Sequence, residues 1–275
     1  MRQAPPWLAL ALALLPALGG AALARPGPRI AAHRGGALLW PENSLLAYRN
    51  ALALGVDWVE TDVHLTADGE VVVLHDPTLD RTTTGRGAVR ERTLAELGAV
   101  RLRAGDGRPT DEPLPTLDQL LELLAPAAPG LLLEIKVGAD RQRYPGIEEQ
   151  VLARVRARGL AARTFFMAFE SATVRRLREL DPAARTMLLT SRGQVRREGV
   201  TAVESVQWAV QLGAAGVGLD HRLIDAGVVA AARQAGLVLS AWTVNDEADI
   251  RRIAGLGVDV VTTDRPDLAR RLLGR

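Results

Sequence analysis

From Arg29 onward the chain alternates between two patterns. Short runs that are apolar at nearly every position fall at residues 30–33, 58–65, 71–75, 131–136, 164–169, 186–189, 216–219, 237–243 and 258–262. Between them lie stretches whose apolar residues recur every three or four positions: 44–54, 117–124, 147–158, 171–180, 203–212, 226–234 and 247–255. The first pattern predicts strands covered on both faces, as parallel strands are. The second predicts amphipathic helices, several opening on a capping residue at Asn43, Thr116, Ser171 or Asp246. Repeated strand–helix units imply a parallel sheet. Eight such units in about 250 residues favour a closed (β/α)8 TIM barrel over an open sheet. No internal sequence repeat is visible.

Two stretches break this rhythm. Residues 77–115, after the second strand region, are rich in Thr, Gly, Arg and Pro and include Thr82-Thr83-Thr84-Gly85. A loop that long inside a compact domain is usually functional, and it follows a strand end, so an insertion partly covering the site is expected. Residues 1–24 form the other stretch. A charged start is followed by an apolar run and then Ala22-Leu23-Ala24, which reads as a signal peptide cleaved after Ala24. The run is too short and too interrupted for a membrane span of about 20 residues. An exported protein, periplasmic or secreted, of about 250 residues is expected, which is the usual size of one (β/α)8 barrel.

Composition narrows the chemistry. The 34 basic and 32 acidic residues leave a net charge of only +2, which argues against a nucleic-acid partner. Cysteine is absent, excluding disulfides, thiolate metal sites and a Cys nucleophile. Lys136 is the only lysine; every other basic residue is arginine. A sequence that uses Arg for generic positive charge points, at its single Lys, to a place needing a compact ammonium.

The chemically informative residues sit at strand ends: His33-Arg34-Gly35-Gly36, Glu60-Thr61-Asp62, His75-Asp76, Glu134-Ile135-Lys136 and Trp242-Thr243-Val244-Asn245. In a barrel these would surround one mouth. Glu60 and Asp62 are two apart on a strand and share a face, as do Glu134 and Lys136. A lone Glu-x-Asp would as readily pair with arginines or face solvent. Three carboxylates converging inside a barrel instead suit a hard divalent cation, Mg2+ or Ca2+. His33 and His75 can serve as an acid–base pair, whereas His64 and His221 are taken as ordinary hydrogen-bonded histidines, His64 the less securely since it lies two residues from Asp62. Arg34 and Lys136, with the metal, could stabilise charge on phosphoryl oxygens. Trp242 either walls a small substrate or packs in the core.

Together with Pro41-Glu42-Asn43-Ser44, Val73-Leu74-His75-Asp76, Asp80-Arg81-Thr82-Thr83 and Pro115-Thr116-Leu117, these motifs resemble the glycerophosphodiester phosphodiesterase family, in order from about Ile30 to Pro266. The resemblance implies that Glu60, Asp62 and Glu134 ligate the metal and that His33 and His75 are the acid and base. It implies that Arg34 and Lys136 contact phosphate, that Trp242 and Phe169 line the glycerol side, and that residues 77–115 are the family's insertion. Glu42 would hold the site together or reach the metal or glycerol. The chain departs from the family at Ser44, often Thr, and at Ala168-Phe169, often Ser-Phe. The expected reaction is hydrolysis of a small-molecule phosphodiester to glycerol 3-phosphate and an alcohol. Lysophospholipid cleavage on the same site and a non-catalytic exported binding protein are the alternatives. The second leaves the two histidines unexplained, and a metal-dependent aldolase would leave His-Arg-Gly unexplained as well.

Overall fold

A computed structural model describes residues 27–275; the leader read over residues 1–24 lies outside the described residues. Eleven strands follow in chain order: β1 Arg29–Ala32, β2 Trp58–Leu65, β3 Val71–Val73, β4 Arg101–Arg103, β5 Pro109–Pro113, β6 Gly130–Ile135, β7 Thr164–Ala168, β8 Thr186–Thr190, β9 Gly216–Asp220, β10 Val238–Trp242 and β11 Val260–Thr263. Eight of them, β1, β2 and β6 to β11, pair side by side in parallel. Since β1 pairs with both β11 and β2, the sheet closes on itself. Helices between the strands complete a (β/α)8 TIM barrel.

One of the nine apolar runs, the third at residues 71–75, is not a barrel strand. β3 lies antiparallel to β2, with Val63 opposite Val73. Only a short turn separates Leu65 from Val71. A parallel crossover needs a dozen or more residues, so a hairpin is the available connection.

Residues of the barrel strands are buried almost throughout, as their unbroken apolar runs require. Alternate positions fill the interior, where Ala31, Trp58, Leu132, Phe165, Met167, Met187, Leu189 and Val260 form one cluster. The opposite faces pack against the helices in two larger clusters. Fully burying a Leu, Ile or Phe contributes roughly 1.5–3 kcal/mol, so these clusters dominate stability. Gly130 shows how tight the interior is: a Cβ there would fall 2.2 Å from Trp58 Cζ3.

Helix starts follow capping chemistry, with shifts from the sequence reading. Thr116 caps Leu117–Leu124 through a reciprocal box with Gln119. Ser44, not Asn43, caps Leu45–Leu54, and Ser171 is already inside its helix. Two further helices, Arg192–Glu198 and Pro266–Leu272, complete the ring. The first buries no residue, so it has no apolar stripe to betray it. Among the described residues no helix is long and apolar enough to cross a membrane.

Residues 77–115 carry β4, β5 and a short helix, Leu94–Leu97. With β3 they enclose a separate core of Val72, Leu74, Leu79, Val89, Leu97, Val100, Leu102 and Leu114.

Candidate active site

β1 ends at Ala32, and a tight turn over His33–Gly35 follows, with Arg34 at φ 50° and Gly35 at φ 80°. Gly35 is pressed against the next helix: a Cβ there would come 2.7 Å from Ala47 Cβ. Both the left-handed backbone and the close approach require glycine. The turn sets two groups. The Arg34 backbone N–H donates to Glu60 Oε2 at 2.9 Å, and His33 Nδ1 lies 2.6 Å from Asp264 Oδ1. An ionised carboxylate only accepts, so His33 Nδ1 carries the proton and Nε2 keeps its lone pair when the ring is neutral. Asp264 also accepts from Asn245 Nδ2 at 2.7 Å. Burial works to raise the Asp264 carboxyl, but the hydrogen bond and charge of His33, with Asn245 and Arg34, hold it below the usual range.

Glu60 and Asp62 come from β2 and Glu134 from β6, where Asp62 and Glu134 are paired in register. All three are buried, and each offers an oxygen within 4.8 Å of the others. Lys136, just past β6, places Nζ 2.7 Å from Glu134 Oε1 and 3.3 Å from Asp62 Oδ1. Arg34 Nε is 3.5 Å from Asp62 Oδ2, which also accepts from Asn43 Nδ2 at 3.0 Å. Burial opposes ionisation of Asp62, yet Lys136, His75, Arg34 and Asn43 keep its carboxyl well below the usual range. Glu60 goes the other way: burial and the charges of Asp62 and Glu134 push its carboxyl far up. The site is therefore short of positive charge. Asp62 Oδ1, despite the nearby ammonium, is buried with no hydrogen bond. Three convergent carboxylates with an unsatisfied oxygen fit a hard divalent cation.

His75 follows β3 and repeats the arrangement of His33. Its Nδ1 lies 2.7 Å from Asp76 Oδ1. Arg81, from the insertion, holds Asp76 Oδ2 at 2.6 Å and reaches both oxygens of Glu42 at 2.9 and 3.0 Å. Glu42 in turn accepts from Arg34 at 3.0 Å. Glu42 thus ties two arginines together.

His33, Arg34, Glu60, His75, Glu134, Lys136, Phe169 and Trp242 line one recess of about 100 Å³. Phe169 and Trp242 meet edge to face at 5.5 Å, so Trp242 walls the recess rather than only packing in the core. Asp62 lies beneath this lining, fully buried, and Glu42 sits beside it. His221 is elsewhere, near Asp249 and Arg252 in the turn after β9.

The sequence reading gave no role to Asp264, Asn245, Asp76 or Arg81, and set His64 aside. His64 Nε2 lies 3.1 Å from the His75 carbonyl and Nδ1 lies 2.8 Å from the Tyr144 hydroxyl. The carbonyl can only accept, so Nε2 donates and Tyr144 donates to Nδ1. Burial lowers this imidazole to about 4 and keeps it neutral. Asp264 had a usable signal: it directly follows β11, one of the barrel strand ends for which the sequence reading named no candidate.

Residues 33–268 match the glycerophosphoryl diester phosphodiesterase family. A glycerophosphodiester phosphodiesterase of Caldanaerobacter subterraneus subsp. tengcongensis is 32% identical over 239 residues, covering 86% of this chain and 94% of that protein. The crystal structure of a glycerophosphodiester phosphodiesterase from Agrobacterium tumefaciens superposes with a TM-score of 0.74 at 30% identity, over 89% of this chain and 99% of that one. An Oleispira antarctica phosphodiesterase, solved with its product sn-glycerol-3-phosphate, gives 0.73 at 28% identity, over 90% and 98%. Barrel, carboxylate triad, paired histidines and these likenesses converge: the chain belongs to the glycerophosphoryl diester phosphodiesterase family and is a phosphodiesterase of that class.

Proposed function

We propose that this enzyme hydrolyses glycerophosphodiesters to glycerol 3-phosphate and an alcohol, with a divalent cation and two histidines. The observation that carries this reading is the pair of His–Asp couples. Each ring is held by a carboxylate at Nδ1 and both border one recess floored by acidic residues. A divalent cation, Mg2+ or Ca2+, held by Glu60, Asp62 and Glu134 would neutralise charge on the phosphoryl oxygens.

Arg34 and Lys136 bind the remaining phosphoryl oxygens and orient the diester. His33 borders the inner recess beside Trp242 and Phe169, which would take the glycerol unit. Its Nε2 lone pair takes the proton from the attacking water. His75 also borders a second, outer recess and in its protonated form donates from Nε2 to the departing alcohol oxygen. Asp264 and Asp76 fix the rings and stabilise them while charged, as the carboxylate of a catalytic triad does. The net result is one proton moved from His75 to His33, restored through solvent. The leader over residues 1–24 supports action outside the cytoplasm, which N-terminal sequencing of the exported protein would test.

The test is glycerol 3-phosphate release from glycerophosphocholine with Mg2+, with Ca2+ and with chelator, beside His33→Ala and Glu60→Ala. Metal-dependent release lost in both variants is expected. No release from any glycerophosphodiester with either metal would overturn the reading and turn attention to lysophospholipids.

A further inference from the structure

The outer recess, about 330 Å³, shares His75, Glu134, Lys136 and Phe169 with the inner one. The groups that border the scissile phosphate therefore separate two spaces, and a diester lying across them places its departing alcohol in the outer one. Beyond the shared residues, the outer wall is the neutral His64 with Pro77, Val137, Gly138 and Ala139, and two charged residues, Glu170 and Arg141. Arg141 is exposed.

Glu170 is the unexplained group. It is half-buried at the N-cap of the helix Ser171–Leu180, yet its side chain makes no cap hydrogen bond. Ser, Thr, Asp and Asn are the usual caps, and Glu170 leaves the first helical N–H groups and lines the recess instead. Among the described residues no arginine, lysine or histidine forms an ion pair with it, Arg141 included. A partly desolvated carboxylate with no ion pair, lining a recess beside an aromatic ring, offers a counter-charge to a cation. Burial raises its carboxyl and Glu134 adds to the effect, while its own backbone N–H, Lys136 and Arg143 oppose it; an arriving cation would act in the same direction as these.

We propose that the outer recess seats an ammonium-bearing alcohol, with Glu170 as its counter-charge and the Phe169 ring as its apolar contact. This rests on the phosphodiesterase reading above and adds a head-group preference set by one residue. Arg141 at the exposed edge tolerates a head group that also carries a carboxylate, such as serine.

The experiment compares kcat/KM for glycerophosphoethanolamine and glycerophosphocholine with that for glycerophosphoglycerol, whose alcohol is neutral, in the purified enzyme and in Glu170→Gln. The amide keeps the shape of a partly exposed side chain, and an unchanged melting temperature confirms folding. A preference of about tenfold or more for the ammonium substrates is expected, the effect of one charge pair, falling to within about twofold in Glu170→Gln. Inhibition by free ethanolamine should weaken in parallel. Equal rates on charged and neutral substrates, or a preference that survives Glu170→Gln, would overturn the head-group assignment and leave the phosphodiesterase reading intact. Failure to cleave any of the three would overturn both.

Discussion

Replacing Asp264 by Asn tests the role given to His33 without changing the size of the side chain. In the parent, one Asp264 oxygen accepts from His33 Nδ1 at 2.6 Å and the other from Asn245 Nδ2 at 2.7 Å. Asn245 is itself fixed, because its own oxygen accepts from the Asp264 backbone N–H at 2.9 Å and from the Thr263 hydroxyl at 3.2 Å. Its amide N–H group must therefore keep facing residue 264. In Asp264→Asn the new amide turns its oxygen toward Asn245, and its NH2 falls opposite His33 Nδ1. Nδ1 then has to accept, the ring proton moves to Nε2, and the lone pair that would take the proton from the nucleophile is gone. General-base catalysis contributes roughly 10²–10⁴-fold, or about 3–5 kcal/mol of barrier. We expect kcat to fall by about that factor, with KM changed no more than about threefold, since Arg34 and Lys136, proposed to hold the phosphate, are left in place. Steady-state release of glycerol 3-phosphate measures both constants. A variant within about threefold of the parent in kcat would refute the orientation argument and remove His33 from the chemistry.

Other outcomes follow from the same geometry. Divalent cation should raise the melting temperature, by an amount equivalent to about 2.7 kcal/mol at a hundredfold excess over Kd, with the rise lost in Glu60→Gln; no shift with Mg2+ or Ca2+ would count against a metal on the triad. Gly130→Ala should cost about 2–3 kcal/mol, a fall of roughly 5–10 °C in Tm, because the new methyl meets the buried Trp58 ring; an unchanged Tm would contradict that packing. His64→Leu should destabilise by about 2–4 kcal/mol, as it strands the Tyr144 hydroxyl and the His75 carbonyl, and should lower kcat by loosening His75; calorimetry and kinetics check the two effects separately. Asp264 titrates lower in the fold than the usual value of about 3.9, so its pairing stabilises fully above that value and is lost as pH falls through the lower folded value. Between about pH 5 and pH 3 the parent should therefore lose more Tm than Asp264→Asn, and parallel losses would show that the pair contributes nothing.

The barrel was legible because parallel strands covered on both faces leave long apolar runs, and the helices between them leave a stripe. The same rule misplaced β3, since three buried valines look alike in a barrel strand and in a hairpin arm; the shortness of the turn before Val71 carried the answer. Site residues were readable where alternation within a strand gathers charge, as with Glu60, Asp62, Glu134 and Lys136. The lone lysine sits between two carboxylates, its single Nζ 2.7 Å from Glu134 and 3.3 Å from Asp62. What was not readable were partners distant in sequence. Asp264 lies 231 residues from His33, and Tyr144 lies 80 from His64, so no local spacing announces either contact. Asn43 was assigned to a helix cap on residue type. In the fold its positive φ turns the side chain to Asp62 and Tyr48 instead.

The separate core of residues 77–115 has a consequence for how such enzymes can diversify. Its apolar residues pack on one another and on β3, outside the clusters that stabilise the barrel. Its hydrogen bonds to the site concentrate in Arg81, which grips Asp76 and Glu42. A segment with its own packing, one polar tether to the site and a few ties to the barrel through Glu112, Arg90, Arg92 and Leu94 can be lengthened, shortened or exchanged between these ties while the catalytic frame stays unchanged. Grafting a longer version onto this scaffold, with an arginine kept at the tether, would be a direct route to re-aiming a conserved reaction at a new diester.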